Sequence, residues 1–198
     1  MRATILDYGV GNLHSLANSL AAAGATVEVT SDLARALEAG CLVLPGVGAF
    51  TPAAAHLESE QDRLVARLRA GLPCLAICLG MQLLFEESDE GGGRGLGLIP
   101  GRVTAVQASR VPHMGWNRLE SSTEPLVTRS GLAMAYFAHG FACRPAASPV
   151  VTAWTTHEGD RFPAVVRVGR TVGVQFHPEK SSAGGIAFLR AFCETAAA

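Results

Sequence analysis

Residues 73–82 constrain this sequence most, because they predict a short buried strand that turns sharply into a helix. Residues 74–77 are apolar and have strand length, and residues 80–85 then take up helical spacing. Cys78 stands at the turn, and the small residues Ala76 and Gly80 on either side allow strand and helix to approach. A helix N-terminus favours a thiolate beside it. The stretch therefore predicts a cysteine nucleophile placed for acyl transfer.

Residues 171–180 supply a candidate base for that nucleophile. Alternation along a strand places Gln175 and His177 on the same polar face, and Pro178 keeps His177 extended. Glu179 points roughly the same way, so its carboxylate can accept a proton from one imidazole nitrogen and leave the other for Cys78. A lone cysteine at a strand end is usually an inert buried side chain. The conjunction of the three side chains nevertheless predicts a Cys78–His177–Glu179 triad.

These two motifs, residues 78–82 and 176–179, resemble the class I glutamine amidotransferases, whose glutaminase domain releases ammonia from glutamine. Further stretches resemble one subgroup, the glutaminase subunit of imidazole glycerol phosphate synthase, an enzyme of histidine biosynthesis. These stretches are residues 7–12, 45–50, 95–99, 112–117 and 177–181. The resemblance thus covers nearly the whole chain.

The pattern of elements predicts an α/β fold with a doubly wound, mostly parallel sheet. Strands at 2–8, 26–30 and 41–44 alternate with helices, of which the first is capped by Asn12 and the second by Ser31 or Asp32. From residue 99 on, short strands predict added antiparallel pairing, and a helix at 183–193 closes the chain. These later strands are predicted at 103–106, 115–119, 134–137, 150–156, 163–168 and 172–176. The length of 198 residues and the resemblance imply a single flavodoxin-like glutaminase domain over 1–198.

The loop after the third strand is expected to face the reacting carbonyl. Glycines on both sides of Val47 permit backbone conformations that other residues resist. With the resemblance, Val47 and Gly48 form one arm of an oxyanion hole and the backbone N–H of Leu79 forms the other. The loop peptide either faces the substrate at rest or must flip when a partner or ligand binds.

The resemblance also implies which residues hold glutamine. Gln82 and Glu90 match substrate-holding positions, with the Glu90 carboxylate facing an α-amino group. The stretch 136–141 often ends in a hydroxyl-bearing residue and tyrosine in the family, whereas this chain has Gly140 and Phe141. Contacts to the glutamine carboxylate must then come from backbone. The implied chemistry needs no metal and no organic cofactor.

A partner is implied because free ammonia is lost to water as ammonium. The resemblance identifies it as the (β/α)8-barrel cyclase subunit, which forms a heterodimer with the glutaminase and makes imidazole glycerol phosphate and an aminoimidazole carboxamide ribotide. Asn12 lies in a segment that faces the partner in the family, and Trp116 and Lys180 are further candidate contacts. An exposed aromatic is often an interface anchor, although a packing role for Trp116 is equally compatible with the sequence.

Composition gives no reason to expect other classes of partner. Nucleic acid normally requires a basic stripe, which a net charge of −1 gives no reason to expect, and no apolar run reaches the roughly 18 residues that a membrane span requires. We therefore expect a cytoplasmic protein with neither a nucleic-acid nor a membrane partner. Five scattered cysteines suit reduced thiols better than a disulfide framework.

Alternatives remain at this point. The chain could serve another synthase, cleave peptides with the same elbow, or be a non-catalytic regulatory subunit. His113 and His139 rank below His177 as the base. His113 lies in a predicted loop with no adjacent carboxylate, and His139 precedes Gly140 at a predicted turn. Gly9 begins an incomplete dinucleotide fingerprint without its third glycine, and the glycine-rich residues 91–97 are expected to form a flexible loop bordering the site.

Overall fold

The structure is a computed structural model that describes residues 1–9, 13–46 and 48–198. The strands of this part of the chain are β1 Arg2–Leu6, β2 Thr26–Thr30, β3 Leu42–Leu44, β4 Cys74–Ile77, β5 Phe85–Ser88, β6 Ile99–Ala105, β7 His113–Arg118, β8 Met134–His139, β9 Phe141–Pro145, β10 Val151–His157, β11 Asp160–Val168 and β12 Thr171–Val174. The helices are α1 His14–Ala22, α2 Leu33–Leu37, α3 Phe50–Leu57, α4 Gln61–Arg69, α5 Leu79–Leu83, α6 Pro125–Ser130 and α7 Ser182–Ala197.

The central sheet has the order β10-β11-β12-β4-β3-β1-β2. Its five strands from β12 to β2 are parallel, and β11 and β10 extend the β12 edge antiparallel. With β12 as the fifth strand, the parallel part follows the 2-1-3-4-5 order of flavodoxin-like folds. The predicted fold class, a doubly wound sheet with added antiparallel strands, is confirmed.

Helices cover both faces of this sheet, which is why its central strands β3 and β4 are apolar and buried throughout. Val43 of β3 faces a core layer that also contains side chains of α1, α6 and α7. Its neighbours Leu42 and Leu44 face the opposite layer, which contains side chains of α2, α3, α4 and α5. The alternation follows from the two-residue period of a strand. The carboxyl ends of the parallel strands are thereby held between two packed layers.

Two smaller sheets complete the fold: β5-β6-β9, and the antiparallel ribbon β7-β8. The strand predicted at 115–119 is present as β7, but it begins at His113, so the loop predicted around His113 was wrong. Strand β7 pairs residue for residue with β8, with Gly115 opposite Phe137. Strands β5 and β9 and helix α6 were not predicted. Phe85 belongs to β5, so the helix predicted through it ends at Leu83.

Several boundaries differ from those predicted. Strand β1 ends at Leu6, not residue 8, and β12 ends at Val174, not residue 176. Helix α1 begins at His14, with Leu13 in the cap position and no side-chain cap bond, whereas the predicted cap, Asn12, lies outside the described residues. Asp32 does cap α2, accepting a hydrogen bond from the backbone N–H of Arg35. Within the described ranges, every helix is too short or too polar to cross a bilayer.

Candidate active site

Cys78 lies between β4 and α5 in a strained backbone conformation. Its φ of 46° and ψ of −102° fall in a region that L-residues rarely adopt, at a cost of roughly 1–3 kcal/mol. The surroundings hold this turn in place. The Cys78 backbone N–H donates to the carbonyl of Val174 at 2.6 Å, and a Cβ added at Gly80 would overlap the carbonyl oxygen of Leu44. Gly80 therefore allows α5 to start directly against the end of β3, whereas the prediction assigned the close approach to the strand that precedes Cys78.

His177 reaches the same edge of the sheet because β12 runs parallel to β4. Val174 pairs with Ile77, so the two strands end side by side and the chain beyond β12 passes Cys78. The His177 backbone N–H donates to the carbonyl of Tyr136 at 2.8 Å. The imidazole Nδ1 lies 2.8 Å from Glu179 Oε1, and both side chains are buried.

The electrostatics of this pair favour a charged imidazole. Burial on its own lowers the pKa of His177, but hydrogen bonds with Cys78 and Glu179 and the negative charges of both raise it to about 10. Since Nδ1 is engaged by Glu179, Nε2 is the nitrogen left for Cys78. The structure therefore brings the three predicted triad residues together at one edge of the sheet, with His177 hydrogen-bonded to Glu179.

The described residues include only part of the predicted oxyanion hole. Leu79 is the first residue of α5, so its backbone N–H has no partner within the helix and points beyond the helix start. Gly48 adopts a φ of +106°, which favours glycine. Val47 lies outside the described residues, so the peptide predicted to complete the hole is not placed.

Gly46 lies directly beside the Cys78 and His177 side chains, which the sequence did not indicate. A Cβ at this position would lie 2.9 Å from Cys78 Cβ and 3.1 Å from His177 Cε1, closer than side chains normally pack. The sequence pattern marks Gly46 only as a flexible neighbour of Val47. Its position immediately after the end of a parallel strand was the available signal that it lines the site.

Gln175 was also missed as a site residue. Its Nε2 donates to Cys78 Sγ at 3.5 Å, and Sγ lies 4.0 Å from the carbonyl oxygen of Ala138. The signal was present, because the predicted alternation already placed Gln175 on the same face as His177. The sulfur thus contacts the Ala138 backbone of β8 and the Gln175 side chain, which follows the end of β12.

The predicted glutamine contacts Gln82, Gly140 and Phe141 converge in the structure. Gln82 is buried, and its Nε2 donates to the carbonyl oxygen of Phe141 at 3.0 Å. The Gly140 carbonyl accepts a hydrogen bond from Val106 N–H at 2.9 Å. The segment joining β8 to β9 is therefore fixed against α5, one turn beyond Cys78.

Glu90 lies on the glycine-rich loop after β5. Its carbonyl oxygen accepts a hydrogen bond from Thr51 Oγ1 at 3.4 Å, and its N–H donates to Ser88 Oγ at 3.1 Å. A Cβ at Gly93 would lie 3.0 Å from the ring of Phe50. The loop thus packs against the first turn of α3, close in sequence to Gly48. The contact of Glu90 with substrate stays a prediction.

His113 and His139 lie side by side but have no carboxylate partner among the described residues. Their rings meet at 3.2 Å, from His113 Nδ1 to His139 Nε2. Burial, and then the proximity of His157, lowers the pKa of His113 to about 4, and burial with the charge of His113 lowers the pKa of His139 to about 3. Both rings are therefore neutral near pH 7, and neither resembles the charged His177.

Trp116 and Lys180 flank a common side chain on the surface beside the triad. The Trp116 ring meets that of Tyr136 edge to face at 6.2 Å, and Lys180 Nζ lies 6.0 Å from the Tyr136 ring centroid. Alternation places Met114, Trp116, Tyr136 and Met134 on one side of the ribbon, which we call the ribbon face. Met114 is 65% exposed and Trp116 is 49% exposed. The third predicted interface residue, Asn12, lies outside the described part of the chain.

Comparison with known proteins identifies the family. The profile of the family described as glutamine amidotransferase class-I matches residues 4–195. The chain belongs to this glutamine amidotransferase family. A protein of Synechococcus elongatus named imidazole glycerol phosphate synthase subunit HisH is 43% identical, over 98% of this chain and 93% of its own length. HisH of Moorella thermoacetica is 44% identical over 96% and 93%, and HisH of Methylococcus capsulatus 44% over 95% and 94%.

Solved structures show the same amidotransferase fold. A crystal structure titled glutamine amidotransferase superposes with a TM-score of 0.76 at 21% identity and covers 99% of both chains. The structure of PurLQS from Thermotoga maritima gives a TM-score of 0.74 at 18% identity, with 98% of each chain covered. These likenesses establish the architecture, while the membership in the family rests on the sequence matches.

Proposed function

We propose that residues 1–198 form one glutaminase domain that hydrolyses glutamine to glutamate and ammonia. The observation that carries the proposal is the placement of His177 between Cys78 and Glu179, all three side chains being buried at the end of the parallel sheet. A histidine so placed accepts a proton from the thiol while its second nitrogen stays bonded to the carboxylate. That arrangement suits acyl transfer to sulfur.

In the proposed reaction, the Cys78 thiolate attacks the side-chain amide carbon of glutamine and the carbonyl electrons move to oxygen. The resulting oxyanion is stabilised by the Leu79 N–H and by the loop at Val47 and Gly48. His177 donates its proton to the departing nitrogen, ammonia leaves, and a thioester remains on sulfur. Water then attacks the thioester, His177 takes a proton from the water, and glutamate leaves as the Cys78 thiol is restored.

Four residues are proposed to hold the substrate during these steps. Gln82 and the backbone of Gly140 and Phe141 lie together beside α5, and Glu90 provides a carboxylate for the α-amino group. Neither Gly140 nor Phe141 has a hydroxyl, so the α-carboxylate is bound by backbone N–H groups there. This differs from a site in which side-chain hydroxyls hold the carboxylate.

We further propose that the ammonia passes to a (β/α)8-barrel cyclase subunit, which makes imidazole glycerol phosphate and an aminoimidazole carboxamide ribotide in histidine biosynthesis. The support is the name of the relatives, which are subunits of imidazole glycerol phosphate synthase. The ribbon face, with Lys180 and Asn12, is the proposed docking surface. Its exposed apolar side chains adjoin the triad, since the backbone carbonyl of Tyr136 accepts the His177 N–H.

We place this reaction in the cytoplasm. The five cysteines are free and buried, which suits a reducing compartment.

Glutamate release from glutamine tests the proposal. The purified chain is assayed alone and together with the cyclase subunit and its nucleotide substrate, with Cys78→Ala as the inactive variant. Cys193→Ala, which removes a buried thiol of α7, is the matched control. We expect activity that rises with the partner, persists in Cys193→Ala and vanishes in Cys78→Ala. Equal, high activity without the cyclase would contradict the partner dependence, and no turnover in any mixture would overturn the glutaminase.

A peptidase with the same elbow is the rival reaction. It would cleave peptide substrates and leave free glutamine intact, so the same assay with unstructured peptides separates the two. A regulatory subunit without catalysis would turn over neither substrate.

A further inference from the structure

The buried pair His113 and His139 takes no part in the proposed chemistry, yet it adjoins the segment proposed to bind glutamine. The two rings are 3% and 5% exposed and lie opposite each other in the β7-β8 ribbon. His139 Nδ1 lies 2.9 Å from the carbonyl oxygen of Phe141. Buried histidines with such partners have fixed protons, and the hydrogen-bond partners determine which nitrogens carry them.

The hydrogen-bond acceptors determine which ring nitrogens of the two histidines carry hydrogen. The Phe141 carbonyl oxygen can only accept, so His139 Nδ1 carries hydrogen and donates to it. Because His139 is neutral, its Nε2 has a free electron pair, and His113 Nδ1 must donate to that nitrogen at 3.2 Å. His113 Nε2 then accepts from Asn117 Nδ2 at 3.3 Å, and Asn117 also donates to the carbonyl of Thr156 at 2.9 Å. Every hydrogen bond in the series thus has one donor and one acceptor.

This series ends on the carbonyl of Phe141, which also accepts a hydrogen bond from α5. Phe141 O accepts from His139 Nδ1 and from Gln82 Nε2, while the preceding carbonyl, that of Gly140, accepts from Val106 N–H. A trans peptide is planar, with N–H and C=O pointing in opposite directions. Fixing two successive carbonyls therefore fixes the direction of the Phe141 N–H, which points away from Val106.

We propose that His113 and His139 are positioning residues for glutamine, holding the Gly140–Phe141 backbone so that its N–H groups bind the substrate α-carboxylate. The proposal rests on the proposed glutaminase function. Gly140 would otherwise leave this segment free to adopt other conformations, because glycine has no Cβ to restrict it. His139 acts directly on Phe141 through Nδ1, and His113 keeps His139 in the tautomer that has hydrogen on Nδ1.

The neighbouring side chains support fixed ring positions. His157 stacks on His113 with ring centroids 4.2 Å apart, and Phe162 meets His139 edge to face at 5.1 Å. His157 is itself bound, with Nε2 2.8 Å from the carbonyl oxygen of Arg110. The pair is thus held by packing as well as by its own hydrogen bonds.

Two substitutions at His139 separate its hydrogen bond from its packing. His139→Asn keeps an N–H donor near the place of Nδ1, whereas His139→Leu fills similar space with no donor. His56→Leu, at a half-buried histidine of α3, is the control. Each variant is assayed with the cyclase subunit on two substrates: glutamine, and 4-aminobutanamide, which has the same amide but no α-carboxylate.

For His139→Leu we expect kcat/KM for glutamine to fall about tenfold through KM, the size of one lost hydrogen bond to a buried acceptor plus its positioning effect. The kcat/KM for 4-aminobutanamide should stay at the wild-type value. His139→Asn should recover most of the affinity for glutamine, and His56→Leu should leave both substrates unaffected.

An equal loss on both substrates would mean that the pair only maintains the fold of the site, and an unchanged KM for glutamine would remove any role. Either result overturns the proposal. Calorimetric titration of glutamine into Cys78→Ala, with and without His139→Leu, gives the same comparison without turnover. An inactive wild type whose Cys78→Ala form still binds glutamine would refute the glutaminase alone, while absence of binding there would refute both.

Discussion

Replacing Glu179 by glutamine removes one negative charge from the triad and keeps its shape. Glu179 Oε1 lies 2.8 Å from His177 Nδ1, and the two side chains are 8% and 4% exposed, so solvent screens their interaction weakly. The glutamine oxygen can still accept the Nδ1 hydrogen. The substitution therefore tests the charge of Glu179 separately from its hydrogen bond.

The size of the effect follows from the geometry. Opposite unit charges about 4 Å apart in an effective dielectric of about 20 attract by about 4 kcal/mol, which corresponds to a pKa change of about three units. The pKa of His177, raised to about 10 in the wild type, should therefore fall by about three units in Glu179→Gln. A histidine with a lower pKa is a weaker base toward the Cys78 thiol, so less thiolate forms and kcat should fall, by at most the about 10²- to 10⁴-fold that general acid–base catalysis contributes.

The pKa is read from the Cε1 proton resonance of His177 in a titration of both proteins, and kcat from glutamate release with the cyclase subunit. Glu58→Gln, at an exposed glutamate between α3 and α4, is the control and should alter neither. A His177 pKa that stays within about half a unit of the wild-type value would refute the assignment of Glu179 as its charge partner.

The same substitution should also change the pH dependence of the free energy of unfolding. A folded-state pKa above the unfolded value of about 6.5 stabilises the protein fully below that pH, and this contribution is lost as the pH rises through about 10. Glu179→Gln should therefore lower the free energy of unfolding more at about pH 6 than at about pH 10. Urea unfolding at the two pH values measures the difference, and an equal loss at both would contradict this linkage.

Two further substitutions test close packing and buried charge. Gly46→Ala places a Cβ 2.9 Å from Cys78 Cβ and 3.1 Å from His177 Cε1. We expect kcat to fall at least about 100-fold while the circular dichroism spectrum stays native. A wild-type kcat would contradict this close approach. Glu124→Gln breaks the ion pair between the fully buried Glu124 and Arg167 and should cost about 3–5 kcal/mol in urea unfolding, whereas a loss below about 1 kcal/mol would show that the pair contributes little.

The parts of the fold that local spacing determines could be predicted from the sequence. The Cys78 elbow, the strand Cys74–Ile77 and the cap Asp32 depend on residues within a few positions of one another. The parallel sheet follows from the alternation of such strands with helices. The placement of His177 at the same edge as Cys78 follows from the shared direction of two strands.

Features that depend on distant pairing could not be predicted in this way. The start of β7 is one such feature: the strand was predicted only from Gly115, but it begins at His113 because β8 pairs with it along its whole length. The local sequence around His139 is typical of a turn. Nothing near it in the chain indicates that His113 lies opposite it in the paired strand. The approach of Gly46 to the Cys78 side chain likewise depends on the packing of separate strands.

Covalent labelling by 6-diazo-5-oxo-norleucine, a glutamine analogue that alkylates a nucleophile when it loses nitrogen, tests most directly that Cys78 attacks glutamine. We predict one adduct per chain, on the peptide that contains Cys78, formed in the presence of the cyclase subunit and prevented by excess glutamine. Burial raises the pKa of the other four thiols, so they stay protonated and should remain unmodified; these are Cys41, Cys74, Cys143 and Cys193. Labelling of a different residue, or equal labelling of Cys78→Ala, would contradict the central claim.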